Sequence, residues 1–260
     1  MKAVTSRDNA AFKAMAKLAA SAAERKRRAL SVLEGAHLLG AYLDSGRHPE
    51  EVMVTREGLA DAEIAQLVDR SAAARVTLVA ESLFRALSSV KSPGGVIAAA
   101  ATPQPQPVPA GAELVLLLEG IQDPGNVGTL LRSAAAAGAG HVLLSEHCAF
   151  AWSPKVLRAA MGAHFALNIV EGADLVGFIT GYHGASVALT AQASASIFDL
   201  DLSGPAALLV GNEGAGLSEA LLAQAGFRAR IPMPGRMESL NAATAGSIVL
   251  FEAVRQKARR

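Results

Sequence analysis

The chain has a single cysteine, Cys148, in 260 residues. That excludes an internal disulfide framework and any multi-cysteine metal site, and it fits a reducing compartment. Cys148 itself reads as a small buried hydrophobe. Aromatic residues are scarce at 4%, and the lone tryptophan, Trp152, reads as core or interface rather than as a platform for stacked bases. Long apolar runs are missing too: Val96 to Ala101 and Leu114 to Leu118 fall far short of the roughly 20 residues of a membrane helix. The histidines show no H-x-x-x-H spacing, and there is no G-x-S-x-G elbow, so metal and acyl-transfer chemistry have no support and no metal is expected. Lys2, Arg7 and Asp8 interrupt the region where a signal peptide needs an apolar core, which argues against secretion. Met1 to Arg28, rich in Ala, Ser and Lys/Arg, suits a mitochondrial leader and equally a basic first helix. A bacterial-type cytoplasmic location is the expectation and a mitochondrial one the alternative.

Half of the residues, 51%, are apolar, enough for a sizeable core in one large or two ordinary domains. Net charge is only +1, but it is unevenly spread. Residues 1–40 hold Lys2, Arg7, Lys13, Lys17, Arg25, Lys26, Arg27 and Arg28 against Asp8, Glu24 and Glu34, a local balance of +5 that leaves −4 on the remainder. Clustered cations on a near-neutral body suggest phosphate contacts, because polyanion affinity follows local rather than total charge. A solvated helix face has the same composition.

Prolines at 103, 105, 107 and 109 make residues 98–112 an extended, stiff connector. It separates a domain over residues 1–97 from a larger one over 113–260. The first reads as helix 10–22, strand 29–33, helix 35–45, strand 51–54, helix 61–70, strand 76–79, helix 82–88 and strand 95–99. The second reads as strand 114–118, helix 127–137, strand 141–144, helix 154–161, strand 166–170, helix 174–180, strand 185–189, strand 206–210, helix 218–224, strand 227–231 and helix 241–257. Alternating short strands and amphipathic helices predict an α/β fold in both. Fully apolar strands such as Leu114-Val115-Leu116-Leu117-Leu118 predict a mostly parallel sheet covered on both faces, with ligands beyond the strand carboxyl ends.

Three loops at strand ends carry unusual polar content. In the first, Glu119 to Ser133, Asp123-Pro124-Gly125 is a turn signal and Asn126 stands where it could cap the next helix. Arg132 follows six residues after Asn126, about 120° short of two full turns. The second, Gly211-Asn212-Glu213-Gly214-Ala215-Gly216-Leu217, has the spacing G-x-x-G-x-G, which matches neither the dinucleotide fingerprint nor the P-loop. Glu213 would also repel a pyrophosphate. The third, Ile231-Pro232-Met233-Pro234-Gly235-Arg236-Met237-Glu238-Ser239-Leu240-Asn241, ends where Ser or Asn can cap the last helix.

Taken in this order, N-x-G-x-x-x-R in Asn126 to Arg132, G-N-E-G-x-G-L in Gly211 to Leu217, and I-P-M-x-G-x-x-E-S-L-N in Ile231 to Asn241 resemble the three motifs of the SpoU (TrmH) group of RNA 2′-O-ribose methyltransferases. The first domain resembles that group's L30e-like substrate-binding domain, with Arg28 to Gly35 near its F-x-V-E-G segment and Ser92 to Val96 near its S-P-x-G-V/I segment. Aliphatic Leu30, followed by Ser31, departs from the usual aromatic. The resemblance implies a C-terminal trefoil-knotted, SPOUT-type α/β domain that binds S-adenosylmethionine and releases S-adenosylhomocysteine. It points to Leu189, Thr190, Gly211, Asn212, Gly216, Ile231, Met233, Leu240 and Ala245 as cofactor residues.

The resemblance matches Arg132 to an arginine cast as the base; because a guanidinium is a poor neutral base, we expect instead that Arg132 binds a phosphate and stabilises the developing alkoxide, with Asn126 and Ser239 positioning the ribose and Glu213 and Asn241 ordering the site. Arg7, Lys13, Lys17, Arg25, Lys26, Arg27 and Arg28 are the expected RNA contacts. The implied substrate is rRNA, of the large-subunit (23S) type, and the implied assembly is a homodimer through the C-terminal domain, with no membrane partner. A catalytically silent rRNA-binding or ribosome-assembly protein and a tRNA 2′-O-methyltransferase remain the alternatives. A nucleotide-dependent oxidoreductase lacks its fingerprint.

Overall fold

A computed structural model describes residues 3–71 and 74–259, so Lys2 of the basic arm lies outside the described residues. The chain forms two compact units, Met1–Gln104 with Trp152–Phe165, and Pro105–Ala151 with Ala166–Arg260. Among the described residues no helix is long and apolar enough to cross a membrane.

The first unit opens with α1 (Ala10–Ala20), capped by Asn9, whose side chain accepts from the amides of Ala11 and Phe12. The expected single helix over 10–22 is in fact two. Ser21 is extended, ends α1 and caps α2 (Ala22–Arg28) by accepting from the Glu24 amide. Arg25 then lies buried under the break, 6% exposed, and its Nη1 donates to the carbonyls of Leu18 at 2.5 Å and Ala19 at 3.0 Å. These are carbonyls that a helix end leaves without partners.

The unit continues with β1 (Leu30–Glu34), α3 (Ala36–Asp44), β2 (Glu51–Val54), α4 (Arg56–Ala60), α5 (Ala62–Arg70), β3 (Arg75–Leu78), α6 (Glu81–Leu87) and β4 (Val96–Ala101). At five residues, α4 is too short for periodicity to reveal and depends on the Thr55 side chain, which accepts from the Gly58 amide. The sheet order is β1-β4-β2-β3. β4 runs antiparallel to both neighbours, while β2 and β3 are parallel. Phe12, Met15 and Leu18 of α1 pack on Leu30, Val32, Met53, Phe84 and Ile97. Leu30 is thus a core residue, and Ser31 is buried with its hydroxyl 2.8 Å from that of Thr102.

The second unit is built on β5 (Leu114–Leu118), α7 (Pro124–Ala136) and β6 (His141–Leu144); the intervening α8 (Pro154–Ala160) groups with the first unit. It resumes with β7 (Asn168–Glu171), α9 (Leu175–Thr180), β8 (Ala185–Leu189), the two-residue β9 (Ala195–Ser196), β10 (Ala206–Val210), α10 (Glu219–Gln224), β11 (Phe227–Arg230) and α11 (Ala242–Lys257). Seven strands take the order β7-β6-β5-β10-β8-β11-β9, and every paired neighbour is parallel. All residues of β5 and β10 are buried, as a sheet covered on both faces requires. The chain builds outward from β5 to β6 and β7, then returns to build β8, β10 and β11 on the other side. Such a reversal of strand order is where parallel sheets take ligands, at their carboxyl ends.

Candidate active site

β8, β10 and β11 lie together in the sheet and all point their carboxyl ends the same way. The loop after β10 is closed on itself. Asn212 and Gly216 exchange backbone hydrogen bonds of 3.1 and 2.9 Å, and the Asn212 Oδ1 accepts from the amides of Gly214 and Ala215. Asn212 Nδ2 donates to the Gly120 carbonyl at 2.8 Å, and the Ser218 amide donates to Glu119 Oε2 at 2.7 Å. The loop is therefore anchored to the residues that follow β5. A Cβ at Gly211 would stand 2.3 Å from the Gly216 carbonyl carbon, and Gly216 itself has φ +71. The first position has no room for a side chain, and the second requires left-handed backbone.

This loop and the one after β11 enclose a cavity of about 640 Å³. Its wall includes each of Leu189, Thr190, Gly211, Asn212, Gly216, Ile231, Met233, Leu240 and Ala245, together with Glu213 and Ser239. Asn126, Arg132 and Asn241 are not on that wall. Two of them join it through hydrogen bonds: Asn126 Nδ2 donates to Glu213 Oε1 at 2.5 Å, and Asn241 Nδ2 donates to Asn126 Oδ1 at 2.9 Å. Asn241 Oδ1 in turn accepts from the amides of Ala243 and Thr244 and caps α11. A three-residue relay thus ties the start of α11 to the carboxylate of the β10 loop.

The placement of Asn126 differs from its expected capping position. Asp123 is the cap of α7, accepting from the Asn126 amide at 2.9 Å, because Pro124 can occupy the first helical position without needing a donor. Asn126 therefore sits inside the first turn, with its side-chain amide left for the relay. Arg132 stands further along α7, exposed, and its guanidinium makes no hydrogen bond or ion pair among the described residues.

Of the expected RNA contacts, Arg7, Lys13, Lys17, Lys26, Arg27 and Arg28 are exposed. Lys13 pairs with Asp8 at 2.8 Å and Arg27 with Glu24 at 2.7 Å. The Arg27 guanidinium, by hydrogen bonding, holds the Glu24 carboxyl below the usual carboxylate range. Arg25 is the correction: its buried guanidinium is engaged by the α1 carbonyls and is not presented to a phosphate. The cavity also has lining residues not singled out in the sequence, among them Gln192, Glu219, Leu222 and Arg230. Arg230 directly precedes the Ile231 motif and Glu219 opens the helix after the Gly211 motif, so proximity was the available signal.

Residues 113–251 match the SpoU rRNA Methylase family, and residues 9–98 match the MRM3-like substrate binding domain. The chain belongs to the SpoU rRNA methylase family. It is 33% identical over 231 residues to the 23S rRNA (guanosine(2553)-2′-O)-methyltransferase RlmP of Bacillus subtilis, covering 88% of this chain and 90% of that protein. The AdoMet-bound rRNA methyltransferase from Sinorhizobium meliloti superposes with a TM-score of 0.86 at 31% identity, covering 98% of this chain and 97% of that one. The SpoU methyltransferase AviRb from Streptomyces viridochromogenes, solved with AdoMet, superposes with a TM-score of 0.85 at 28% identity, covering 97% and 100%. The expectations of family, fold class, methyltransferase activity and S-adenosylmethionine cofactor are borne out.

Proposed function

We propose that this SpoU family member methylates a ribose 2′-hydroxyl of large-subunit (23S-type) rRNA, with residues 113–260 carrying the chemistry, residues 1–97 holding RNA and residues 98–112 linking them. The observation that carries the reading is the cavity at the ends of β8, β10 and β11, joined by hydrogen bonds to Asn126 and Asn241. The wall fits S-adenosylmethionine. It offers backbone donors and acceptors at strand ends for an adenine edge, apolar Leu189, Ile231, Met233 and Leu240, and carboxylates facing a positively charged ligand. The rRNA assignment is supported by the near full-length likeness to RlmP.

When bound, S-adenosylmethionine would supply the methyl group: the 2′-oxygen would bond to the methyl carbon as the carbon–sulfur bond breaks to leave S-adenosylhomocysteine, and the hydroxyl proton would pass to solvent. Arg132 holds the phosphate beside the target ribose and stabilises negative charge developing on the oxygen. Asn126 and Ser239 position the ribose, so that the reacting atoms start in line. Glu213 and Asn241 order that side of the site by fixing both ends of the Asn126 amide. Lys13, Lys17, Lys26 and Arg28 draw the RNA backbone to the first unit, and the target nucleotide is splayed toward the cavity.

The trefoil threading of the last segment, a homodimer through the second unit and a cytoplasmic, bacterial-type location belong to the same reading. Exposed Phe198 and Phe251 on the second unit favour a partner copy, and light scattering on the purified chain would show the dimer mass. Calorimetric titration with S-adenosylmethionine and with NAD tests the cofactor: binding of the first alone is expected. Failure to bind S-adenosylmethionine would leave a silent RNA-binding protein as the better account.

A further inference from the structure

Among the described residues, four charged ones line the cavity, Glu213, Glu219, Glu238 and Arg230. Strand alternation explains how the one cation comes to be there. In β11, Ala229 turns into the sheet and is fully buried, so Arg228 and Arg230 on either side of it are exposed. The two arginines then part company. Arg228 Nε donates to the Leu222 carbonyl at 2.9 Å, near the end of α10, and Arg228 does not line the cavity. Arg230 does, and its guanidinium makes no hydrogen bond or ion pair among the described residues, although three carboxylates share the same wall.

We propose that Arg230 receives the α-carboxylate of the methionine part of S-adenosylmethionine. The inference rests on that cofactor being the ligand of the cavity. The ligand carries two positive centres, sulfonium and ammonium, and one negative one; the wall carries three carboxylates and one guanidinium, the complementary distribution. A guanidinium presents a rigid fork of donors that matches a carboxylate in two parallel hydrogen bonds. Glu213 is already engaged by Asn126, which leaves Glu219 and Glu238 as the carboxylates nearest in kind to the ammonium. Arg230 is thus a cofactor-binding residue that lies outside the glycine and proline motifs.

The test titrates the full chain calorimetrically with S-adenosylmethionine and with its decarboxylated analogue, which keeps both positive centres and lacks only the carboxylate. The wild-type chain is expected to prefer the intact cofactor by about tenfold, the lower end of a hydrogen bond to a charged group. Arg230→Gln should bind the intact cofactor about tenfold more weakly and the analogue unchanged, Arg230→Lys should fall between, and Arg228→Gln should keep the full preference. Circular dichroism of each variant would establish that it is folded. Equal binding of the two ligands by the wild-type chain, or a preference that survives Arg230→Gln, would overturn the assignment of Arg230 alone. A wild-type chain that binds neither ligand would overturn the cofactor assignment itself.

Discussion

The two units treat the ends of their strands in opposite ways. In the first, antiparallel β4 lies between β1 and β2, and its start covers the ends of its neighbours: the Gly35 amide donates to the Val96 carbonyl and the Thr55 amide to the Gly95 carbonyl, both at 2.9 Å. In the second, every paired strand is parallel, and among the described residues no returning strand closes over β8, β10 and β11. Backbone groups there face a cavity instead of a partner strand. One antiparallel insertion therefore separates a unit suited to presenting a charged surface from one suited to holding a small ligand. Changes in the second unit should strike binding and chemistry, and changes in the first should strike RNA affinity.

The largest effect is expected at Arg132. Arg132→Ala should lower methyl transfer by roughly 10²–10³, as loss of a preorganised charge does, with RNA binding measured in parallel by filter retention. Arg132→Lys should recover part of the rate if charge alone matters; equal, complete inactivity with intact RNA binding would require the guanidinium fork. Next comes Gly211→Ala, whose Cβ would meet the Gly216 and Leu217 backbone at 2.3–2.5 Å. Displacing the loop should weaken S-adenosylmethionine binding by roughly ten- to a hundredfold, from an overpacking cost of about 1–3 kcal/mol. RNA affinity carried by the first unit should be retained.

Smaller effects sharpen the other side of the comparison. Replacing Lys13, Lys17 and Arg28 together by Gln should lower RNA affinity and flatten its logarithmic salt dependence by about 0.7 for each phosphate no longer neutralised. Arg25→Met should leave that slope unchanged while lowering the melting temperature, because Arg25 caps α1 carbonyls. The smallest shift concerns Glu252 in α11. The Arg255 guanidinium, by hydrogen bonding, draws its carboxyl below the usual range, with Gln256 assisting. A depressed folded value stabilises above the unfolded carboxylate range near roughly pH 4.3 and is lost as pH falls through the folded value. Glu252→Gln should therefore lose stability at neutral pH and show a flatter acid limb in denaturant titrations.

Apolar patterning and motif order made the second unit readable: the runs at 114–118 and 206–210 became the buried central strands, and all nine expected cofactor residues line one cavity. Local chemistry was less legible. Asp123 and Asn126 are both good caps, and only the helical start at Pro124 decides between them. The break at Ser21 was hidden because the residues around it are uniformly good helix formers, and Arg25 read as one more surface cation until the α1 carbonyls were placed beside it. Arg230 and Glu219 reach the site through strand alternation and a helix start, features that a motif pattern does not encode.

Transfer of tritium-labelled methyl from S-adenosylmethionine to unmodified 23S-type rRNA, followed by alkaline hydrolysis of the product, tests the central claim most directly. A 2′-O-methyl group removes the hydroxyl that alkali needs for cleavage, so the account predicts label in an alkali-resistant dinucleotide, absent with Arg132→Ala. Label released on mononucleotides, which marks base methylation, or no transfer by a chain that binds the cofactor, would contradict it.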